Sequence, residues 1–148
     1  MARRPLILTS GTELTHWEYE YVLKALDNIG TKNFNYFVPK FAEEFAEYAG
    51  AKYAVPLTNG TNALFLSLLA LGIGKGDEVI TPDLGYIVTA NTIAQVGAKP
   101  ILVDIDSKTW CVSPDAISKA ITKRTKAIMP VWMYGNAPMM DVICNIAR

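Results

Sequence analysis

The sequence predicts an α/β protein: an α/β/α sandwich built on a mostly parallel sheet. Three observations predict it. Strand-like and helical segments alternate four times from residue 52 onward. The connections between them are short and carry Gly, Asn, Asp or Pro, the residues that make tight turns. Glu78 to Thr81 reads as a short buried strand. Parallel neighbours are reached only through a crossover, so strands separated by helices form a parallel sheet with the helices on its faces.

The elements follow in order. Residues 12–29 read as an amphipathic helix, with Leu14, Trp17, Tyr21, Val22, Ala25 and Leu26 on one stripe. Thr15 and Glu18 fit a capping box, and Gly30 fits the stop. Residues 31–38 read as a loop, and Pro39 suits the first turn of a second helix that Gly50 ends. Lys52 to Leu57 reads as a strand, Thr58-Asn59-Gly60 as a turn, and Thr61 to Leu71 as a helix buried on most sides. After the strand at Glu78, a helix runs from Tyr86 to Gln95 and stops at Gly97. Pro100 to Val103 is a strand with Asp104 and Asp106 at its exit. Pro114 to Ile121 is a helix, and Lys126 to Met133 a strand. A last helix from about Met139 is expected to be still running at Arg148, where the pattern fits either a natural final helix or a sheet cut short.

Composition narrows the function. Apolar residues make up 51% and charged residues 19%, a globular balance. Fourteen basic residues cancel fourteen acidic ones, so no net charge recruits nucleic acid or an anionic membrane, and Arg3-Arg4 is too small to act as an arm. The longest apolar run, Ala63 to Ile73, is too short to span a bilayer, and the N-terminus shows no secretory pattern. His16 is the only histidine, which excludes a His-based metal cluster within this chain, and nothing near it suggests a Ser-His-Asp site. Cys111 and Cys144 lack metal-ligand spacing, and a reduced, cytosolic setting is the simplest reading, with a lone disulfide left open.

Four residues are candidate ligand contacts. Gly60, Thr61 and Asn62 open a helix after a strand. Glycine permits close backbone approach, and a helix N-terminus offers unpaired N–H groups and the positive end of its dipole, a cradle for phosphate or carboxylate. By itself the loop reads more readily as a tight turn with Thr61 near the cap. Tyr86 follows the next strand, where ligands of open α/β sheets bind, and its ring suits offset stacking on a flat group; alone it reads as an ordinary half-buried tyrosine. Asp104 and Asp106 form either a catalytic dyad or, in the favoured reading, carboxylates capping the turn before Thr109-Trp110. Trp132, Tyr134 and Asn136 either line a pocket or pack, and Met139 and Met140 read as core or interface filler.

The ordered motifs resemble a known family. They run through Phe37–Gly50, Ala54–Leu64 with Thr58-Asn-Gly-Thr-Asn62 inside it, Ala70–Pro82, Thr89–Ile93, Gly97–Asp106, Thr109–Cys111, Ala120–Thr122, Thr125–Ile128, Tyr134-Gly135 and Met140-Asp141. In this order the chain is similar to the DegT-type sugar-nucleotide aminotransferases, which have the aspartate-aminotransferase fold. The resemblance implies part of the large domain of a fold-type I enzyme dependent on pyridoxal 5′-phosphate (PLP). It divides the chain into a helix-and-loop segment, 1–36, and an incomplete cofactor-binding α/β domain, 37–148. It implies amino transfer, usually from glutamate, to a nucleotide-linked keto sugar in polysaccharide, lipopolysaccharide or antibiotic sugar synthesis, and a homodimeric parent protein in the cytoplasm. Gly60, Thr61 and Asn62 would hold the cofactor phosphate, and Tyr86 would stack on the pyridine. Asn62 stands where Ala or Ser is commoner, Gly85 where Thr or Ser is usual, and Trp132 where His is usual. The resemblance puts the lysine that anchors the cofactor, and the aspartate that pairs with its ring nitrogen, beyond Arg148. No residue of this chain is therefore assigned a catalytic role, and the 148 residues are expected to be inactive alone. The alternatives are a non-catalytic phosphate- or nucleotide-binding α/β module, a structural or regulatory fragment, and a PLP-dependent sugar dehydratase relative.

Overall fold

The computed structural model describes residue 11 and residues 14–148. Arg3, Arg4 and the first two positions of the helix expected over 12–29 lie outside the described residues. The chain packs as two compact units, Met1–Pro56 and Leu57–Arg148.

The first unit carries α1 (His16–Asp27) and α2 (Phe37–Tyr48). The capping box forms as expected: Thr15 N–H donates to Glu18 Oε2 at 2.6 Å and Trp17 N–H to Thr15 Oγ1 at 3.3 Å. The apolar stripe of α1 does not reach a core. None of its residues is buried, and Ala46 is the buried residue of α2. Phe41 and Phe45 stack at 5.6 Å on the α2 surface, and Tyr48 follows at 6.3 Å from Phe45. The strand expected over residues 52–57 is absent. That stretch is irregular, because an extended segment becomes a strand only through a hydrogen-bonded neighbour, and Pro56 cannot donate to one.

The second unit holds α3 (Gly60–Ala70), β1 (Glu78–Pro82), α4 (Val88–Gln95), β2 (Lys99–Val103), α5 (Pro114–Ala120), β3 (Thr125–Ile128) and α6 (Met140–Ile146). The three strands form one parallel sheet in the order β2-β1-β3. β3 stops five residues short of the expected Met133. Met129 N–H still donates to Ile80 O at 2.7 Å, but Pro130 has no N–H to continue the ladder. α6 ends at Ile146 with Ala147 as its cap, and is not still running at Arg148. α4 begins two residues later than expected, and α3 one residue earlier, with Asn59 rather than Thr61 as its cap.

The sheet is covered on both faces, as the α/β/α expectation requires. Val79 packs with Leu68 of α3, Ile93 of α4, Ile73 and Ala98, with Ala127 alongside. Ile80, one residue on, points the other way into Ile117 of α5 and Ile143 of α6, with Ile101 and Ile128 alongside. Chain order explains the split. The path from β1 through α4 to β2 moves to one side, and the path through α5 to β3 crosses back. Crossovers of one hand then place α4 and α5 on opposite faces. α3 has one buried residue, Leu68, while Leu66 and Leu69 are exposed. Its mostly apolar sequence suggests fuller burial than this, but only one side finds partners within the unit. Gly72 and Gly97 end α3 and α4 at φ 70° and 84°, where a side chain is strained; each lets the next N–H close back onto its helix, Ile73 to Leu68 O at 3.0 Å and Ala98 to Ile93 O at 3.2 Å.

At the amino edge of the sheet Glu78 is buried, 2% exposed. Its carboxylate accepts from Arg124 Nε at 2.9 Å and Nη2 at 2.6 Å, and from Thr122 Oγ1 at 2.6 Å. These bonds satisfy both oxygens and hold the Glu78 carboxyl below its ordinary range, the Thr122 hydroxyl acting first and the Arg124 guanidinium second.

Candidate functional site

α3 begins at the carboxyl edge of the sheet. It leads through residues 71–77 into the amino end of β1, so it runs antiparallel to that strand. α4 leaves the carboxyl end of β1 and returns to the amino end of β2, so it runs the same way, and the two helices pack together. Gly60, Thr61 and Asn62 therefore stand on the same edge of the sheet as Tyr86.

The first turn of α3 is fixed by asparagines. Asn59 Oδ1 accepts from Asn62 N–H at 2.9 Å, and Asn62 Nδ2 donates to Thr58 Oγ1 at 2.8 Å. Asn62 thus spends its backbone N–H inside the turn. Gly60 and Thr61 do not: neither N–H has a partner among the described residues. A β-carbon on Gly60 would meet nothing within 4 Å, so the space beside this residue is open. Amide groups at the positive end of an eleven-residue helix are of the kind that attract an anion.

Tyr86 is 83% exposed rather than half-buried. Its carbonyl accepts from Thr89 Oγ1 at 2.7 Å and Thr89 N–H at 3.2 Å, which anchors the backbone and leaves the ring unspent. β1 lies between β2 and β3, so the chain turns to opposite sides from it. That is the switch point where open α/β sheets bind ligands. The loop carrying Tyr86 touches the loop after β3: a β-carbon on Gly85 would sit 3.8 Å from Val131 Cγ2. This is ordinary contact, so a side chain fits at Gly85.

Sequence reasoning underrated a second feature of this edge. The exits of β2 and β3 are joined by Asn136 Nδ2 donating to Thr109 O at 2.9 Å and by the Cys111 thiol donating to Asn136 O at 3.2 Å. Between them lies an open depression of about 500 Å³ lined by Lys108, Trp110, Tyr134 and Asn136 among others. Trp132 is not among its lining residues. The signal available was the Tyr134-Gly135 pair, a turn dipeptide beside an aromatic. Asp106 takes the capping role over the dyad role. Its Oδ1 accepts from Lys108 and Thr109 N–H at 2.9 Å each, and the Thr109 amide, followed by that of Lys108, lowers its carboxyl below the ordinary value. Both cysteines are free thiols, so the lone disulfide left open by the sequence is not formed. Met140 packs on the core, whereas Met139 is exposed. Among the described residues no helix is long and apolar enough to cross a membrane.

Comparison with known proteins bears on the family and the fold. The DegT/DnrJ/EryC1/StrS aminotransferase family profile matches residues 13–148. A GDP-perosamine synthase of Caulobacter vibrioides is 43% identical over 148 residues, all of this chain and 40% of that protein. The crystal structure of 3-amino-5-hydroxybenzoic acid synthase superposes with a TM-score of 0.84 at 36% identity, covering 91% of this chain and 35% of that one. A GDP-4-keto-6-deoxymannose-3-dehydratase, solved with a trapped PLP-glutamate geminal diamine, superposes at 0.81 with 30% identity over 94% of this chain and 37% of its own. The chain spans well under half the length of these relatives.

Proposed function

This chain belongs to the DegT/DnrJ/EryC1/StrS aminotransferase family, and from that premise we propose that the complete protein is a PLP-dependent aminotransferase. It moves an amino group, from glutamate, onto a nucleotide-linked keto sugar. The observation that carries the reading is the pair of open N–H groups at Gly60 and Thr61 on the edge that also presents Tyr86.

The residues fit the cofactor. The Gly60 and Thr61 amides and the Thr61 hydroxyl would hold its phosphate, and Asn59 and Asn62 fix the turn that carries them. Tyr86, its ring exposed at this edge, would stack on the pyridine. Bound there, the cofactor supplies an electron sink for chemistry at the amino-bearing carbon. The anchoring lysine and the acid that pairs with the ring nitrogen come from outside these 148 residues, so residues 1–148 alone are inactive. The free thiols support a reducing, cytoplasmic setting, and the exposed apolar faces of α1 and α2 support a homodimer.

The test is direct. The complete protein, mixed with PLP, glutamate and a panel of nucleotide-linked keto sugars, should gain visible absorbance and release 2-oxoglutarate with one of them. No absorbance and no 2-oxoglutarate with any sugar would overturn the reading. The superposable dehydratase favours a second reading on the same scaffold. Loss of water from the sugar, without an amino sugar product, would select it.

A further inference from the structure

β1 is buried along its whole length, and Thr81 within it has no exposed surface. Valine has nearly the same shape and would fill such a position without a polar atom. A buried hydroxyl costs desolvation energy unless it finds a partner. The partner here is the Met129 carbonyl, to which Thr81 Oγ1 donates at 3.0 Å.

That carbonyl stands where the ladder between β1 and β3 breaks. Ile80 lies opposite Ile128, and Met129 N–H donates to Ile80 O at 2.7 Å. In a parallel ladder the next bond would run from the N–H of residue 82 to Met129 O. Residue 82 is proline and has no N–H to give. The Thr81 hydroxyl takes the place of the missing donor. On its other side β1 stays tied further along: Pro82 lies opposite Val103, and Asp83 N–H donates to Val103 O at 3.0 Å. At the carboxyl edge β1 and β3 therefore part, while β1 and β2 remain joined.

Tyr86 stands on one lip of that parting, five residues after Thr81. Val131, just past β3, stands on the other, and a β-carbon on Gly85 would sit 3.8 Å from its Cγ2. Among the described residues, the Thr81–Met129 bond is the hydrogen bond between the β1 and β3 segments that lies nearest Tyr86. Both its ends belong to this unit, and the threonine is already fully enclosed, so the contact needs no surface from elsewhere.

We propose that Thr81 is a positioning residue: by holding the Met129 carbonyl it fixes the exit of β3 against the loop that presents Tyr86, and so sets the angle at which that ring meets the cofactor. The proposal rests on the cofactor reading above and adds the buried group that orients the aromatic platform.

The experiment is a PLP titration of the complete protein by visible absorbance, with visible circular dichroism of the bound cofactor and a thermal melt of the same samples. Thr81→Val keeps the shape and removes the hydroxyl. It should weaken PLP binding by about 2- to 30-fold, the range for a residue that acts on a site through its neighbours. It should also reduce the dichroism per bound cofactor, because the ring is no longer held at one angle. Thr81→Ser keeps the donor and should match wild type in both. Adding Pro82→Ala to Thr81→Val returns an N–H at the break, so binding and dichroism should recover; this double variant decides the matter if the single one does not fold. A role confined to structure lowers the melting temperature of Thr81→Val and leaves affinity and dichroism unchanged. That result would overturn the proposal and leave the cofactor reading intact, as would Thr81→Ser or a folded double variant binding as weakly as the account expects of Thr81→Val. No PLP binding by wild type would overturn the cofactor reading and this proposal together.

Discussion

Replacing Gly60 with alanine separates the fold from the cradle. Gly60 is the first residue of α3 and is not among the glycines with positive φ. A β-carbon there meets no atom within 4 Å. The fold therefore tolerates Gly60→Ala, and alanine gains about 0.4–1 kcal/mol by narrowing the unfolded ensemble. The anion site responds with the opposite sign. In the proposed cradle the methyl group would crowd the phosphate held at the Gly60 amide, and losing one hydrogen bond to a charged group costs about 1.5–3 kcal/mol. At about 1.4 kcal/mol per decade, that is a roughly 10- to 150-fold weaker cofactor phosphate. The assay is a PLP titration of the complete protein followed by visible absorbance, beside a thermal melt of the same sample. The expected result is an equal or higher melting temperature with weaker binding. Unchanged affinity would refute the reasoning, because the cradle would then not include Gly60. A lower melting temperature would show that the glycine serves the backbone instead.

Further predictions concern the ring, the buried acid and the core. Tyr86→Ala should weaken cofactor retention by roughly 2- to 10-fold, the loss of one aromatic pair, while Tyr86→Phe keeps it; equal retention in all three proteins would remove the stacking role. Glu78 titrates below its ordinary value of 4.5 when folded. Its contribution is present above the unfolded value and is lost as pH falls through the depressed folded one. Wild type should therefore lose stability more steeply than Glu78→Gln on acidification below that value, and parallel melting curves would contradict this. Ile80→Ala removes a side chain with no exposed surface at the centre of the sheet. It should cost about 2–5 kcal/mol in urea denaturation of the complete protein, and a cost well under that would show a core that collapses around the gap.

The fold was largely legible, for local reasons. The capping box at Thr15 and Glu18, the glycines at 72 and 97, and the apolar run of β1 act over a few residues, and sequence displays such signals openly. What was not legible depends on distant partners. Residues 52–57 have strand composition, but pairing is a property of two segments. α3 is apolar all round, yet which of its sides finds a neighbour is decided by packing. Glu78 is buried because Arg124, 46 residues away, meets it. The cradle at Gly60 was visible in the motif; the capture of the Asn62 N–H by Asn59, which narrows the open amides to two, was not. Tyr134 reads as lining a pocket or packing and Trp110 only as following a capped turn, because nothing in their identity announces a positive φ.

A crystal structure of the complete protein grown with PLP tests the central claim most directly. The account predicts phosphate oxygens within hydrogen-bonding distance, about 3 Å, of the Gly60 and Thr61 amide nitrogens, with the Tyr86 ring lying over the pyridine. A phosphate held elsewhere, with the first turn of α3 facing only water, would contradict it.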